Sequence, residues 1–165
     1  MVASDRPTMA RDKMIEWIHG HVPTADFRGR RVLMIIPDNT RTAPLPALFA
    51  GLFDVLGPVV ASLDVMVALG THQPMAEGEI ARLIGLSDAD RAGKCVKVRL
   101  LNHEWDNPAA LHRLGWLSEE ETEAISGGLM RERVPVDINK RVLDYDVLLV
   151  CGPTFPHEVV GFSGG

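Results

Sequence analysis

The sequence predicts an α/β protein with a mainly parallel, Rossmann-like sheet and helices on both faces. Three observations predict this fold class. Four short segments rich in Val, Ile and Leu have the composition of buried strands, segments with apolar residues at helical spacing separate them, and polar residues follow each strand. Because strands that alternate with helices connect through right-handed crossovers, the sheet is expected to be parallel. The predicted strands are residues 31–37, 62–69, 95–101 and 147–151.

Two helical segments provide the crossovers between the first three strands. Pro44 and Pro46 are acceptable in the first turn of the earlier segment, and Gly57 is a suitable residue for its end. The later segment has Glu77 and Glu79 in its first turn, where the helix dipole favours acidic side chains. The predicted helices are residues 9–19, 45–56, 76–86 and 119–126, and residues 133–138 alternate like an additional edge strand.

Length and composition indicate one soluble globular domain over residues 1–165. Such a chain can bury roughly 70% of the surface that its unfolded form exposes, and its 46% hydrophobic and 24% charged residues are close to the globular average. The formal charge of −5 disfavours nucleic acid as a partner. No apolar run approaches the roughly 20 residues that span a bilayer, and the start of the chain has no hydrophobic signal core. We therefore expect a cytoplasmic protein without a membrane partner.

The two cysteines, Cys95 and Cys151, both lie in apolar segments. A secreted disulfide scaffold would be smaller and richer in cysteine, so we expect two reduced core residues. A catalytic thiol is the alternative for Cys151, because it stands at the end of a predicted strand.

Polar residues cluster directly after each predicted strand. In an open α/β sheet, ligands bind beyond the carboxyl ends of the strands, and in a parallel sheet these ends meet at one edge. The sequence therefore predicts one crevice lined by an arginine, three histidines and several carboxylates, although any single member could instead cap a helix or form a turn. The clusters are Asp38, Asn39, Thr40 and Arg41; Gly70, Thr71, His72, Gln73 and Pro74; Asn102, His103, Glu104, Trp105 and Asp106; and Gly152, Pro153, Thr154, Phe155, Pro156, His157 and Glu158.

Arg41, His72 and His157 are the candidates for chemistry in that crevice. The planar guanidinium of Arg41 suits a carboxylate or a phosphate, and Asp38 could orient it or cap the next helix. His72 lies in a turn-forming segment that would aim its ring outward. His157 precedes a glycine-rich segment whose backbone amides could approach an anion closely.

The remaining histidines have simpler explanations. His19 and His21 lie at the end of an amphipathic helix, where cationic side chains are ordinary, and His112 has the context of a surface or capping residue. A zinc hydrolase that uses the three loop histidines is one alternative function, without diagnostic ligand spacing. A non-catalytic module that holds a phosphate or a carboxylate is the other.

Three ordered motifs stand within residues 32–165. They are Pro37, Asp38, Asn39, Thr40 and Arg41; Gly70, Thr71, His72, Gln73, Pro74 and Met75; and Pro156, His157, Glu158, Val159, Val160, Gly161, Phe162, Ser163, Gly164 and Gly165. In combination they resemble the lactate racemase family, including its broader homologues that act on 2-hydroxy acids. The resemblance implies racemisation by hydride transfer between the substrate α-carbon and a nickel-pincer nucleotide.

The resemblance also assigns roles to residues by motif. It implies that His72 and His157 act on opposite sides of the substrate as proton acceptor and donor, and that Arg41 grips the substrate carboxylate. His103 matches a family loop in position and receives no task. The chemistry agrees with these roles, because an enzyme that converts both enantiomers needs one base for each of them. Histidine is the side chain that titrates nearest neutral pH. The residues implied for the cofactor pocket are Asp38, Thr40, Ser163, Gly164 and Gly165.

The family's cofactor-tethering lysine, a nickel-binding histidine and a second domain that closes the cleft are expected beyond Gly165. The resemblance therefore implies the amino-terminal half of a 2-hydroxy acid racemase or epimerase, without a metal ligand of its own. The cofactor is expected to be absent from this chain, which should be inactive in isolation. The expected partners are a small 2-hydroxy acid and the missing carboxyl-terminal domain, and the exposed cleft could permit self-association.

Overall fold

A computed structural model describes residues 9–157 and 161–163, and this part of the chain contains five α-helices and eight strands. None of the described helices has the length and apolar character needed to cross a membrane. The helices are α1 (Arg11–His21), α2 (Leu45–Leu56), α3 (Glu77–Leu83), α4 (Asp88–Ala92) and α5 (Glu119–Ser126). The strands are β1 (Arg31–Pro37), β2 (Ser62–Ala68), β3 (Leu100–Asn102), β4 (Leu111–Leu117), β5 (Val134–Asn139), β6 (Val147–Val150), β7 (Phe155–His157) and β8 (Gly161–Ser163).

Four parallel strands form the central sheet, in the order β3-β2-β1-β6. The α/β fold class with a parallel sheet is therefore confirmed. The chain moves outward from β1 through β2 to β3 and then returns to place β6 on the other side of β1. The strand order thus reverses between β1 and β6. In α/β sheets of this kind, ligands bind beyond the carboxyl ends of the strands at such a switch point.

The main core lies on one face of this sheet. Alternate residues of a strand point to the same face, and register pairs Met34 with Val65 and Ile36 with Val67, so these four side chains lie together. All four are almost fully buried. Helices α1, α2 and α3 cover them with apolar side chains at helical spacing, which explains why the sequence pattern there is amphipathic. The covering residues include Ile18, Phe49, Leu52, Leu56, Ile80 and Ile84.

The opposite face of the sheet is covered less evenly. Leu33 and Met66 are buried there at 0% and 3% exposure. On β6, register places Leu148 beside Leu33 and Val150 beside Ile35, yet Leu148 is 45% and Val150 is 52% exposed. The β6 end of this face therefore presents apolar side chains to solvent.

The third strand is shorter than the sequence predicts. The prediction placed a strand over residues 95–101, whereas β3 begins at Leu100. Cys95 and Val98 are buried, at 0% and 5% exposure, but they lie in successive turns. The amide of Cys95 donates to Asp90 O at 2.9 Å, and the amide of Val98 donates to Cys95 O at 3.0 Å. A short apolar run indicates burial, and it does not distinguish a strand from tightly packed turns.

Residues 133–138 do form a strand, but it is not an edge of the central sheet. β5 pairs antiparallel with β4 in a separate two-stranded sheet, with an irregularity between Arg113 and Gly115. The prediction missed β4 because polar residues interrupt its alternation. Helix α5 connects the two strands as predicted. Ser118 caps its start by accepting from Glu121 N at 3.2 Å, and Gly127 ends it in the left-handed conformation.

The predicted helix over residues 76–86 stops early. α3 ends at Leu83, and Gly85 then turns the chain with a φ of 75°. A Cβ atom at Gly85 would lie 2.7 Å from Pro46 Cβ. A side chain at this position would therefore face both an unfavourable backbone conformation and a clash with the first turn of α2.

Candidate functional site

A cavity of about 570 Å³ opens at the carboxyl edge of the sheet, between the ends of β1, β2 and β6. This position is the switch point of the strand order, where ligands are expected to bind in a sheet of this topology. The loops after these three strands supply its polar lining. The lining includes Asp38, Thr40, Arg41, Gly70, Thr71, His72, Cys151, Gly152 and Phe155.

Asp38 and His72, which both line this cavity, contact each other directly. The strands β1 and β2 pair in register as far as Pro37 and Ala68, which brings the loops that follow them side by side. Asp38 Oδ2 then contacts His72 Nδ1 directly, across 34 positions of sequence. The Asp38 side chain is only 6% exposed, whereas that of His72 is 51% exposed. The carboxylate is therefore enclosed while the imidazole reaches the open cavity.

Thr40 holds the other oxygen of the same carboxylate. Asp38 Oδ1 accepts hydrogen bonds from Thr40 N at 3.0 Å and from Thr40 Oγ at 2.5 Å. Burial by itself would raise the pKa of the Asp38 carboxyl, but the hydrogen bonds from Thr40 and His72 outweigh it and lower the pKa below its usual range. Asp38 is therefore an ionised, fully engaged carboxylate at neutral pH.

Arg41 lies at the mouth of the cavity with most of its donors available. One guanidinium nitrogen donates to Thr40 Oγ at 3.1 Å, and the guanidinium carbon lies 5.8 Å from the centre of the Phe155 ring. Within the described part of the chain, no carboxylate forms an ion pair with Arg41. A planar cation without an acidic partner, beside an apolar ring, is suited to a small carboxylate ligand.

The last residue of β3 and the loop after it support the site from outside the cavity. Trp105 Nε1 donates to the carbonyl oxygen of His72 at 3.1 Å. The side chain of Asn102 bonds the backbone of Met75 twice, accepting from its N at 3.1 Å and donating to its O at 2.8 Å. The loop that carries His72 is thus held at the histidine itself and again three residues later. The sequence showed these polar residues but gave no signal that they bind backbone.

His103 does not join Arg41 and His72 in lining the cavity. Its Nδ1 lies 2.9 Å from the side-chain nitrogen of Asn139, which is 7% exposed at the end of β5. His103 therefore connects the loop after β3 to the separate β4–β5 sheet. Since Asn139 is neutral, this imidazole has a hydrogen-bond partner without an opposing charge.

Cys151 lines the cavity, and burial raises the pKa of its thiol to about 11. It is therefore protonated at neutral pH and poorly suited to act as a nucleophile. Cys95 is buried in the core, and burial raises its pKa as well. Both cysteines are free thiols, as the sequence predicts.

His157 belongs to β7 and pairs with Gly161 of β8 in a short antiparallel ladder. Gly161–Ser163 of the glycine-rich segment forms strand β8, with a φ of 81° at Gly161. The side chains of His157 and Ser163, and the positions Gly164 and Gly165, lie outside the described residues.

The other histidines are held away from the cavity. His21 Nδ1 lies 2.8 Å from Trp17 O, and the rings of these residues stack with centroids 4.5 Å apart. His19 lies 3.7 Å from Asp54 on the surface, and His112 is exposed on β4. In residues 9–157 and 161–163, no three His, Cys, Asp or Glu side chains converge to hold a metal ion.

Comparisons with known proteins agree with the residue pattern. A family model described as the lactate racemase N-terminal domain matches residues 19–165. The crystal structure of a protein from Thermotoga maritima is similar, with a TM-score of 0.78 and 28% sequence identity. The similarity covers 95% of this chain and 36% of that protein, so this chain spans little more than a third of its length. A comparison with curated proteins finds no match.

Proposed function

The chain belongs to the lactate racemase N-terminal domain family, and we propose that it forms the amino-terminal, substrate-facing half of a 2-hydroxy acid racemase or epimerase. One observation carries this proposal. His72, paired through Nδ1 with a buried carboxylate, and Arg41, which has no acidic partner among the described residues, line the same cavity at the switch point of the sheet. A cation and an imidazole so arranged suit a small molecule that bears a carboxylate and a hydroxyl group.

Arg41 is proposed to bind the substrate carboxylate. Its guanidinium can donate two parallel hydrogen bonds to the two oxygens of a carboxylate, which fixes the plane of the substrate as well as its position. The contact with Thr40 and the ring of Phe155 limits the directions that the side chain can take. The substrate α-carbon would then lie on the side of the carboxylate that faces His72.

His72 and His157 are proposed to be the two acid/bases. A racemase must remove a proton from the hydroxyl group of either enantiomer, so one base is needed on each side of the substrate. His72 meets the requirement for one side, since its ring lines the cavity and is oriented by Asp38. His157 is assigned to the other side by its motif, and its backbone lies in β7, two residues after Phe155, which lines the cavity.

The cofactor is proposed to be the nickel-pincer nucleotide of the family, with Thr40, Ser163, Gly164 and Gly165 near it. By the family resemblance, the cofactor-tethering lysine and the nickel-binding histidine are expected beyond Gly165. We therefore assign nickel to the nucleotide and to a carboxyl-terminal domain of the complete enzyme. Hydride transfer belongs to that cofactor, and the described residues of this chain bind the substrate and move its hydroxyl proton.

The test is to replace His72 with Asn in the complete enzyme and to follow optical inversion of several 2-hydroxy acids. We expect turnover to fall roughly 10²- to 10⁴-fold, the usual effect of losing a positioned acid or base. His112→Asn is the matched control, since His112 is an exposed histidine on β4 outside the cavity. Wild-type turnover in His72→Asn would contradict the proposal. Binding of 2-hydroxy acids without inversion by the unaltered complete protein would favour a carboxylate-binding module instead.

A further inference from the structure

We propose that Asp38 is a positioning residue that holds neutral His72 as the Nδ1–H tautomer and leaves Nε2 as its proton-accepting atom. This inference deepens the proposed function and rests on it for the role of His72. The motif resemblance had placed Asp38 in the cofactor pocket. The geometry points instead to an effect exerted through the imidazole.

The hydrogen bonds of Asp38 leave its carboxylate little freedom to serve another ligand. One oxygen accepts two bonds from Thr40 and the other faces His72 Nδ1. The side chain is 6% exposed. The bonds from Thr40 do not depend on His72, so the carboxylate is oriented in advance and the imidazole adjusts to it.

The chemistry of the pair determines the tautomer. An ionised carboxylate only accepts hydrogen bonds, so the nitrogen that faces it must carry the proton. The lowered pKa of Asp38 keeps the carboxylate ionised at neutral pH. A neutral imidazole with its proton on Nδ1 has a lone pair on Nε2, and no described residue forms a hydrogen bond with that atom. Free histidine prefers the opposite tautomer, which would present an N–H group to the substrate and could accept no proton there.

This arrangement gives Asp38 a defined effect on the proposed proton transfer. The substrate O–H bond breaks as an N–H bond forms at Nε2, and the bonding electron pair remains on the substrate oxygen. His72 becomes an imidazolium ion, and the adjacent carboxylate of Asp38 stabilises that charge without accepting the proton. In the reverse direction the same pair returns the proton to oxygen.

A purely structural role is a weaker account of the contact. The loops that carry Asp38 and His72 are already held together by pairing of β1 with β2 up to Pro37 and Ala68. Trp105 holds the backbone of His72 separately. Removing the Asp38–His72 bond should therefore change the state of the ring more than the position of the loop.

The first experiment measures the tautomer directly and needs no activity. The 165-residue chain is labelled with ¹⁵N-histidine, and the imidazole nitrogen shifts are recorded by NMR at a pH where the ring is neutral. We expect His72 to be mainly the Nδ1–H tautomer and to shift strongly toward Nε2–H in Asp38→Asn. His103, whose ring faces the neutral Asn139, is an internal reference that should not change.

Asp54→Asn is the matched control, because Asp54 is an exposed carboxylate beside a different histidine, His19. A His72 ring that is mainly Nε2–H in the unaltered chain would overturn the proposal, and this result does not depend on any variant being folded. An unchanged tautomer in a folded Asp38→Asn variant would overturn it too. Thr40→Val, which keeps the carboxylate but removes one of its bonds, should give an intermediate shift.

The second experiment uses the complete enzyme and separates positioning from cofactor binding. Asp38→Asn should lower kcat by about 10²-fold or more while KM and nickel content stay near the unaltered values. The double variant with His72→Asn should be little worse than His72→Asn alone, since Asp38 acts through that ring. Loss of nickel content with an unchanged tautomer would identify Asp38 as a cofactor ligand. Full activity in His72→Asn would refute the proposed function and leave the tautomer result standing.

Discussion

At the scale of single residues, the surroundings of Arg41 and Asp38 give two charged groups opposite tasks. Asp38 is enclosed and satisfied by three hydrogen bonds, so its charge is directed inward at Thr40 and His72. Arg41 is exposed and, among the described residues, bonded through one nitrogen to a neutral hydroxyl. The sequence identified both residues as part of one motif. It could not separate their tasks, because three-dimensional contacts 34 positions apart decide which charge remains available.

Arg41→Lys should weaken substrate binding in the complete enzyme. Lysine keeps the positive charge but cannot form two parallel hydrogen bonds to a carboxylate. Because a hydrogen bond to a charged group contributes about 1.5–3 kcal/mol, we expect KM to rise by roughly tenfold or more, since 1.4 kcal/mol corresponds to a factor of ten. Steady-state kinetics of both enantiomers measures the change.

Arg113→Lys is the control for this substitution. Arg113 is also exposed and stacks on an aromatic ring, that of Trp116, but it lies in the separate β4–β5 sheet and pairs with Asp137. Its replacement should leave KM unchanged. Equal KM values for the unaltered enzyme and Arg41→Lys would mean that Arg41 only solvates its loop.

At the scale of elements, a buried polar cluster fastens β6 to the rest of the sheet. Asp64 of β2 is 1% exposed and accepts hydrogen bonds from Arg99 and from the hydroxyl of Tyr145 at 2.8 Å. Tyr145 stands just before β6, so this bond spans the width of β1. Burial, followed by the hydrogen bond to Asp64, raises the pKa of Tyr145 to about 12. The hydroxyl therefore remains a donor at all ordinary pH values.

Tyr145→Phe should destabilise the chain by about 1–3 kcal/mol, because it removes a hydrogen bond to a buried carboxylate and keeps the aromatic ring. Urea unfolding followed by circular dichroism measures the free energy of unfolding. Asp137→Asn is the control, since it breaks the exposed ion pair with Arg113 and should change stability by less than about 1 kcal/mol. Equal effects of the two substitutions would show that the Asp64 cluster does not fasten β6.

Elements also show where sequence prediction succeeds and where it stops. The predicted ends of β1, β2 and β6 lie within one residue of the observed ends, because each strand is a short, mainly apolar segment bounded by turn-forming residues. The segment around Cys95 is equally apolar, but its burial comes from turns. β4 escapes prediction because its side chains are mostly exposed and its regular alternation breaks between Arg113 and Gly115. An apolar pattern therefore indicates which residues are buried. Whether such a segment forms a strand depends on pairing partners that are distant in the sequence.

The same limit applies to the site. The rule that loops gather at the carboxyl ends of parallel strands was enough to bring Arg41 and His72 into one cavity. The same rule wrongly placed His103 in the cavity. The loop that carries His103 follows the edge strand β3, and its imidazole contacts Asn139 instead. Distance from the switch point explains the difference, since β3 lies two strands away from β1 in the sheet order.

At the scale of the whole molecule, the hydrophobic core is enclosed, whereas the cavity that holds the candidate site is open to solvent. Helices α1 to α3 and the central sheet enclose a continuous apolar cluster. The cavity is open at the sheet edge, and the β6 end of one face exposes Leu148 and Val150. An apolar surface of this kind is typical of a face that another domain or a second copy covers.

The 165-residue chain is therefore expected to fold cooperatively by itself and to show no racemase activity. An open cavity lets water screen the charge of the exposed Arg41, and it leaves a charged substrate hydrated. The described residues also provide no complete nickel site. The test supplies nickel and the pincer nucleotide to this chain and to a version that continues past Gly165, and compares optical inversion of 2-hydroxy acids, with sedimentation to detect self-association. Equal activity would refute the division of the site between two domains, whereas inversion by the longer protein alone would support it.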